Sequence, residues 1–338
     1  MRKEGKSIMN LQEIDFTDIG ALKVGHAECE QGVTGCTVVI CQEEAVAGVD
    51  VRGGAPGTRE TDLLASGNLV DKVHAVFLAG GSAYGLNAAA GIMSYLEERD
   101  IGFDVGVGRV PIVPGAVLFD LAIGDPQIRP DAEMGYRACE NATSASSLSG
   151  NISGNVSGNI GAGMGATVGK FAGPAHAMKS GLGSCGLQAG EIKVGALVAV
   201  NCLGDVVDEE SNRILAGAVD KDSGRFLNTE AVMLENMTRG DNLFGGNTTI
   251  GIVATNAVLT KPQANKVSSM AHNGYARAIR PSHTMVDGDA IFTVSSGEIA
   301  ADLNTIGFIA AEAMRRAILQ AVLKAKTYKG YIAASELC

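Results

Sequence analysis

Short β-branched runs, each closed off by glycine, aspartate or asparagine, set the strongest limit on what this chain can fold into. Val33 to Ile40, Ala45 to Val51, Val73 to Ala79, Val194 to Val200, Ile250 to Thr255 and Ala290 to Ser295 have this form, and each is predicted to be a strand. Fewer segments carry helical periodicity. Ser82 is placed to cap a helix reaching about Glu98, with Leu86, Ala89, Ala90, Met93 and Leu96 on one face. Pro262, a favoured first-turn residue, opens a second helix that runs to about Ile279. Asp302 caps a third, with Ile306, Ile309, Ala313, Ala317 and Ala321 as its buried stripe. Strands outnumber long helices, and two of the three helices come late. That order points to stacked sheets covered by helices, not to a doubly wound parallel sheet.

Composition agrees with close layers. Glycine is 45 of 338 residues, aromatics are 4% and Trp is absent, so the core must be built from Val, Ile, Leu, Ala and Met with many tight turns. An apolar content of 46% rules out disorder. Nothing breaks the composition strongly enough to be a linker, so residues 1–338 are expected to form a single domain. The net charge of −10 and the lack of a basic stripe argue against a nucleic-acid partner. No stretch reaches 18 apolar residues, so no membrane span is expected. The start, MRKEGKSIMNLQEIDF, has no apolar core and does not read as a signal peptide. Seven cysteines without a CxxC pair, and five histidines without HExxH, make a structural zinc site an unattractive reading. Reduced thiols in the cytoplasm are the expectation, and the sequons at Asn151, Asn155 and Asn236 then carry no glycan meaning.

Several glycine motifs fail their context. Gly161-Ala-Gly-Met-Gly-Ala166 matches a dinucleotide fingerprint, yet it follows a repeat of Ser-Gly-Asn (149–160) and not a strand. The repeat itself reads as a solvent loop. Gly169-Lys170 lacks the first glycine and the Ser/Thr of a phosphate loop. Gly80-Gly-Ser82 lacks the downstream glycine of a nucleophile elbow. Asp287-Gly-Asp289 on its own reads as a turn feeding a strand. The stretch with chemical promise is Gly245-Gly-Asn-Thr-Thr-Ile-Gly-Ile-Val-Ala-Thr-Asn256, where a glycine turn ends in Asn247 and two threonines open a buried strand.

This stretch resembles the DmpA-type self-cleaving aminopeptidase and amidase family (peptidase family S58). The resemblance extends in the family's order through Val49-Asp-Val-Arg-Gly-Gly-Ala-Pro-Gly-Thr-Arg59, Gly80-Gly-Ser-Ala-Tyr-Gly-Leu86, Val110-Pro-Ile-Val-Pro114, Gly165-Ala-Thr-Val-Gly-Lys170, Val194-Gly-Ala-Leu-Val-Ala-Val-Asn201 and Asp287-Gly-Asp289. It covers about residues 20 to 330. It implies a four-layer α/β/β/α sandwich, similar to the N-terminal-nucleophile hydrolases, and usually a homo-tetramer. It also implies self-cleavage at Asn247–Thr248 into chains 1–247 and 248–338. Thr248 would be the nucleophile, with its freed α-amine, of reference pKa about 7.7–8.0, as the base, so no catalytic His is required.

By the same resemblance Asn201 helps hold the oxyanion. Lys170 matches the lysine of the nylon-oligomer-hydrolysing branch and would keep the amine of Thr248 neutral as a nearby cation. Asp287 and Asp289 would orient the nucleophile. Two apart on an extended strand, they would share a face, and one pKa would rise. Aspartate at both positions with a Thr nucleophile looks most like the nylon-oligomer hydrolase branch. Tyr84 would line the substrate site or pack on its own helix, and Thr249 is a rival nucleophile. No metal or organic cofactor is implied. A 6-aminohexanoate-oligomer endohydrolase, an acyltransferase and a non-enzymatic nucleotide-binding protein stay open beside the small-peptide amidase.

Overall fold

The computed structural model describes residues 11–144, 157–236 and 246–337. Ten strands form its main sheet: β1 (Gln12–Ile14), β2 (Leu22–Cys29), β3 (Thr34–Val51), β4 (Thr58–Arg59), β5 (Lys72–Ala79), β6 (Gly115–Val117), β7 (Leu182–Ala189), β8 (Ile192–Asn201), β9 (Thr248–Ala257) and β10 (Ala290–Ile299). Their order is β1-β7-β8-β9-β10-β3-β5-β6-β4, with β2 also on β3. Among the described residues, four helices of ten residues or more cover the sheet: α1 (Ala88–Glu97), α2 (Ala132–Thr143), α3 (Lys261–Ala278) and α4 (Leu303–Leu323).

The long strand β3 makes the sheet into two layers. Its first part pairs with β2 and β5, and its last residues, Val46 to Val51, pair with β10. The two halves then close over a shared core. Val39, Ala45 and Ala47 of β3 and Val76 and Leu78 of β5 meet Ile250, Ile252 and Ala254 of β9 and Phe292 of β10 there. The alternate residues face outward to helices. In one half Cys36, Val38, Ala75 and Phe77 pack on α1 and α2. In the other half Ala196, Val198, Val200 and Val253 pack on α3 and α4. Three cores between four layers give the α/β/β/α order that the family resemblance implies. Each fully buried Val, Leu, Ile or Phe contributes about 1.5–3 kcal/mol.

The predicted strands all form, with one revision: Val33–Ile40 and Ala45–Val51 belong to a single strand, continued through Gln42 to Glu44. The two late helices begin where expected. Gln263 accepts from both the N–H and the hydroxyl of Thr260 ahead of α3, and Asp302 accepts from Thr305 N at 2.8 Å ahead of α4. The first helix differs. Residues Ser82–Asn87 form a tighter 3₁₀ segment, α1 starts at Ala88, and Ser82 makes no capping bond. Ser82 sits at φ +54, a left-handed conformation that does not suit a standard N-cap. Ala90 is exposed, while Ile92 and Tyr95 are buried in its place.

Residues 145–156 of the Ser-Gly-Asn region lie outside the described residues. The tail of the repeat is not a free loop. Gly158 exchanges two 2.8 Å backbone bonds with Leu182 at the start of β7, and Asn159 bonds the backbone of Lys326. Unpaired strand-edge groups are thereby satisfied. The glycine motif 161–166 makes one 3₁₀ turn and opens no helix, so the context of a dinucleotide site is missing.

Candidate active site

Thr248 opens β9 in the middle of the molecule. Its neighbours are β8, where Asn201 is its register partner, and β10, whose Ala290 pairs with Ile250. Strand pleating puts the two threonines on opposite faces of the sheet. Ile250, Ile252 and Ala254 face the core between the sheet layers, so Thr248 shares their face. Thr249 points the other way, toward the helices. Thr249 is fully buried, its N–H donates to Asp289 Oδ1 at 2.7 Å, and its carbonyl accepts from Tyr275 on α3 at 3.2 Å.

The Thr248 hydroxyl donates to the carbonyl oxygen of Asn247. The backbone N–H of Gly288 donates to the same oxygen at 2.9 Å. Gly288 has to be glycine for this approach, because a Cβ there would stand 2.8 Å from Ala55 O and 2.9 Å from Thr248 Oγ1. The Asn247 carbonyl oxygen thus has two donors, a fixed backbone N–H and the hydroxyl of the residue that follows it.

Asn201 is fully buried at the end of β8. Its Oδ1 accepts from Thr167 N at 3.0 Å, which fixes its amide. Its Nδ2 then donates to Phe119 O at 2.9 Å and Gly246 O at 3.3 Å. Lys170 reaches the same place. Its backbone N–H is anchored on Leu203 O, and its Nζ donates to Asn201 O at 2.7 Å and to Gly246 O at 3.3 Å. Both donors therefore hold the carbonyl one residue before the Asn247–Thr248 bond. Burial pushes the Lys170 ammonium down to about 7, against the pull of nearby acidic groups that include Cys202, Asp287, Asp120 and Asp289. Burial thus works against the fixed cation expected from sequence.

Asp287 and Asp289 are both buried just ahead of β10. Asp287 Oδ2 accepts from Thr284 N at 2.8 Å and Thr284 Oγ1 at 2.6 Å. Burial raises its pKa, with the Asp289 charge as the second cause, as two close carboxylates require. Asp289 divides its oxygens: Oδ1 takes Thr249 N, and Oδ2 takes His283 N at 3.1 Å and His283 Nδ1 at 2.8 Å. The loop after β3 frames both, since Arg52 N bonds Asp289 O and Ala55 N bonds Asp287 O.

Four contributors have no sequence signal. His283, at φ +60, faces Asp289 and stacks on Tyr275 with ring centres 5.7 Å apart. His272 lies edge-on to both, and burial lowers its pKa to about 4. Lys179 is fully buried and donates to Ala166 O at 2.9 Å, Ser180 O at 2.5 Å and Gly163 O at 3.3 Å, pinning the loop that leads to Thr167 and Lys170. Asp120 accepts from Gly81 N at 2.7 Å, and burial raises its pKa to about 6. A lone buried lysine and aspartate look like surface residues in a sequence.

A cleft of ≈ 130 Å³ borders Asn247 and Thr248, with Ala55, Gly57, Ser82, Ala83, Phe119 and Val286 among its walls. Ser82 and Ala83 line the cleft, whereas the Tyr84 ring is 61% exposed with the Arg129 guanidinium 3.9 Å from its centre. It packs neither in the cleft wall nor into the core.

Comparison with known proteins identifies the family. The family model for peptidase family S58 matches residues 15–334. A protein of Mycobacterium leprae described as an uncharacterized aminopeptidase is 40% identical over 341 residues, covering 93% of this chain and 91% of the relative. A 6-aminohexanoate-oligomer endohydrolase of Kocuria sp. is 31% identical over 324 residues, covering 90% and 84%. The L-aminopeptidase D-Ala-esterase/amidase of Ochrobactrum anthropi, described as a variant of the Ntn-hydrolase fold, superposes with a TM-score of 0.67 over 95% of this chain and 90% of that one, at 17% identity. With a family match over nearly its whole length and relatives of this similarity, the chain belongs to peptidase family S58 and is a hydrolase of amide or peptide bonds.

Proposed function

We propose that the chain is an N-terminal-threonine amide hydrolase that activates itself by cutting between Asn247 and Thr248, giving chains 1–247 and 248–338. The observation that carries this is the Asn247 carbonyl oxygen, which accepts both the Thr248 hydroxyl and the Gly288 N–H. In the first stage Lys170, as amine, takes the Thr248 hydroxyl proton. Oγ1 adds to the Asn247 carbonyl carbon, and Gly288 N–H holds the oxyanion. The C–N bond breaks, the proton goes to the departing Thr248 nitrogen, and an ester of Asn247 on Oγ1 remains. Water then releases Asn247 as a carboxylate.

In the mature enzyme the free α-amine of Thr248 takes over as base. Thr248 Oγ1 attacks a substrate amide, with Gly288 N–H again an oxyanion donor, joined by Asn201 Nδ2, and Asp287 and Asp289 as orienting groups. The acyl-enzyme is hydrolysed by water, and the mechanism calls on no metal or organic cofactor. Small peptides or linear amides are the substrate class. A homo-tetramer in the cytoplasm is the assembly and location we assign.

A linear-amide endohydrolase on the same machinery is the second reading. It is favoured by aspartate at both 287 and 289 and by the endohydrolase among the relatives. Product analysis on linear amide oligomers separates internal from terminal cutting. The primary test is intact-protein mass spectrometry of wild type beside Thr248→Ala. Two fragments divided after Asn247, and an undivided variant, are expected. A wild type that stays whole on long incubation removes the mechanism.

A further inference from the structure

We propose that the enclosed place of the Asn247 side chain, next to the cleft, is the acyl-side subsite of the mature enzyme, and that it selects aliphatic over polar acyl units. This rests on Thr248 being the nucleophile. The link is chemical identity. Self-cleavage makes an ester between Asn247 and Thr248 Oγ1, and that ester is an acyl-enzyme whose acyl unit is Asn247. A substrate acyl unit joined to the same oxygen in the same walls must place its side group where the Asn247 side chain lies.

The structure shows what that place offers. Asn247 is 1% exposed, and among the described residues neither Nδ2 nor Oδ1 has a hydrogen-bond partner. The cleft beside it is walled by Pro56, Gly57, Val117, Leu118, Phe119 and Val286. Apart from Asn247 and Thr248 themselves, Ser82 supplies the one polar side chain on it among the described residues. A buried amide without partners is unfavourable there. A hydrocarbon group of the same shape loses no hydrogen bonds and gains burial. The poor match of Asn247 to this site has a use of its own, because it favours departure of the new chain end once the bond is cut.

The test compares leucine and asparagine, which have the same heavy-atom shape, as 4-nitroanilides with free and with acetylated α-amines, so that terminal and internal specificity are both sampled. Mass spectrometry first establishes that the preparation is divided after Asn247. With divided enzyme, kcat/KM for the leucine compound is expected to exceed that for asparagine by about tenfold or more. Equal rates, a preference for asparagine, or no turnover of any of the four compounds by divided enzyme overturns the subsite assignment while leaving the nucleophile in place. A chain that never divides overturns both.

Discussion

The carboxylate of Asp289 bonds the backbone N–H of Thr249 at 2.7 Å, while Tyr275 bonds the carbonyl of that same residue at 3.2 Å. Thr249 is thereby held on both sides of its peptide, and Thr248 before it inherits that rigidity. An N-terminal nucleophile needs this, because cutting the chain removes the covalent tether on one side of it. Catalytic groups must stay near their productive geometry to be effective.

Asp289→Asn is expected to slow self-cleavage without unfolding the chain. An amide keeps one acceptor for Thr249 N but turns a donor toward His283, whose N–H and Nδ1 both face Oδ2. Losing charge-assisted bonds of this kind costs about 1.5–3 kcal/mol. The rate of fragment appearance by mass spectrometry should fall roughly tenfold to a hundredfold. An unchanged rate would show that Asp289 does not position the threonine.

His283 is expected to act through Asp289, and three variants separate its side chain from its backbone. His283→Asn tolerates φ +60 and keeps a donor near the Nδ1 position. His283→Gly relieves the backbone and removes the donor. His283→Ala removes the donor and adds backbone strain. Kinetics should rank wild type and Asn together, with Gly and Ala both about tenfold lower in kcat. If Gly matches wild type, the ring has no positioning role.

On the proposed mechanism, Lys170 is expected to set the pH dependence of self-cleavage. Burial brings it to about 7, so it is ammonium below that pH and amine above it. If the amine takes the Thr248 proton, the cleavage rate rises with pH through about 7 and then levels. Lys170→Arg keeps a cation that does not titrate in this range and should lose the rising limb. A rate that falls above about pH 7 would mean that the ammonium, not the amine, is the working form.

Gly288→Ala should separate folding from chemistry. The added methyl would meet Ala55 O and Thr248 Oγ1 at 2.8 and 2.9 Å, closer than such atoms pack. The N–H would be moved off the Asn247 carbonyl. Fragment formation is expected to stop while circular dichroism stays that of a folded chain. Wild-type cleavage in this variant would exclude Gly288 N–H as the oxyanion donor.

Strands such as Ile250–Thr255 are legible because β-branched runs between turn residues have few other outcomes. Strand β7 is not. Its sequence, Leu182-Gly-Ser-Cys-Gly-Leu-Gln-Ala189, is poor in strand formers, and Gly183 is there because α4 presses on it: a Cβ would lie 1.9 Å from Ala317 O. Helix α2 is absent from the sequence reading although its pattern is legible: Asp131 caps it, and Met134, Ala138, Cys139 and Ala142 recur at helical spacing against polar neighbours. In the site, Thr248, Asn201, Lys170, Asp287 and Asp289 come from the family resemblance and are brought together by the fold. Gly288 N–H, Tyr275, His283 and Lys179 are beyond sequence reasoning, because backbone donors and buried partners are set by tertiary contacts with no local pattern.

Lys179 offers a test of that hidden layer through stability. It is fully buried and pushed from 10.5 down to about 7, first by burial and against the Asp120 charge. Between those two values the unfolded chain binds a proton that the folded chain has released. Stability therefore rises with pH across this window. The slope from one such lysine is at most about 1.4 kcal/mol per pH unit. Lys170 contributes in the same sense, so the comparison must isolate Lys179. Urea unfolding of Thr248→Ala, which is expected to remain one chain, and of the same chain carrying Lys179→Met gives that comparison at about pH 7.5, 8.5 and 9.5, values inside the window. The methionine variant is expected to be less stable throughout, because Gly163, Ala166 and Ser180 lose their shared donor, and its stability should climb less steeply with pH. Equal slopes would mean that Lys179 keeps its proton in the folded chain, held by the three carbonyls and Asp120 against the cost of burial.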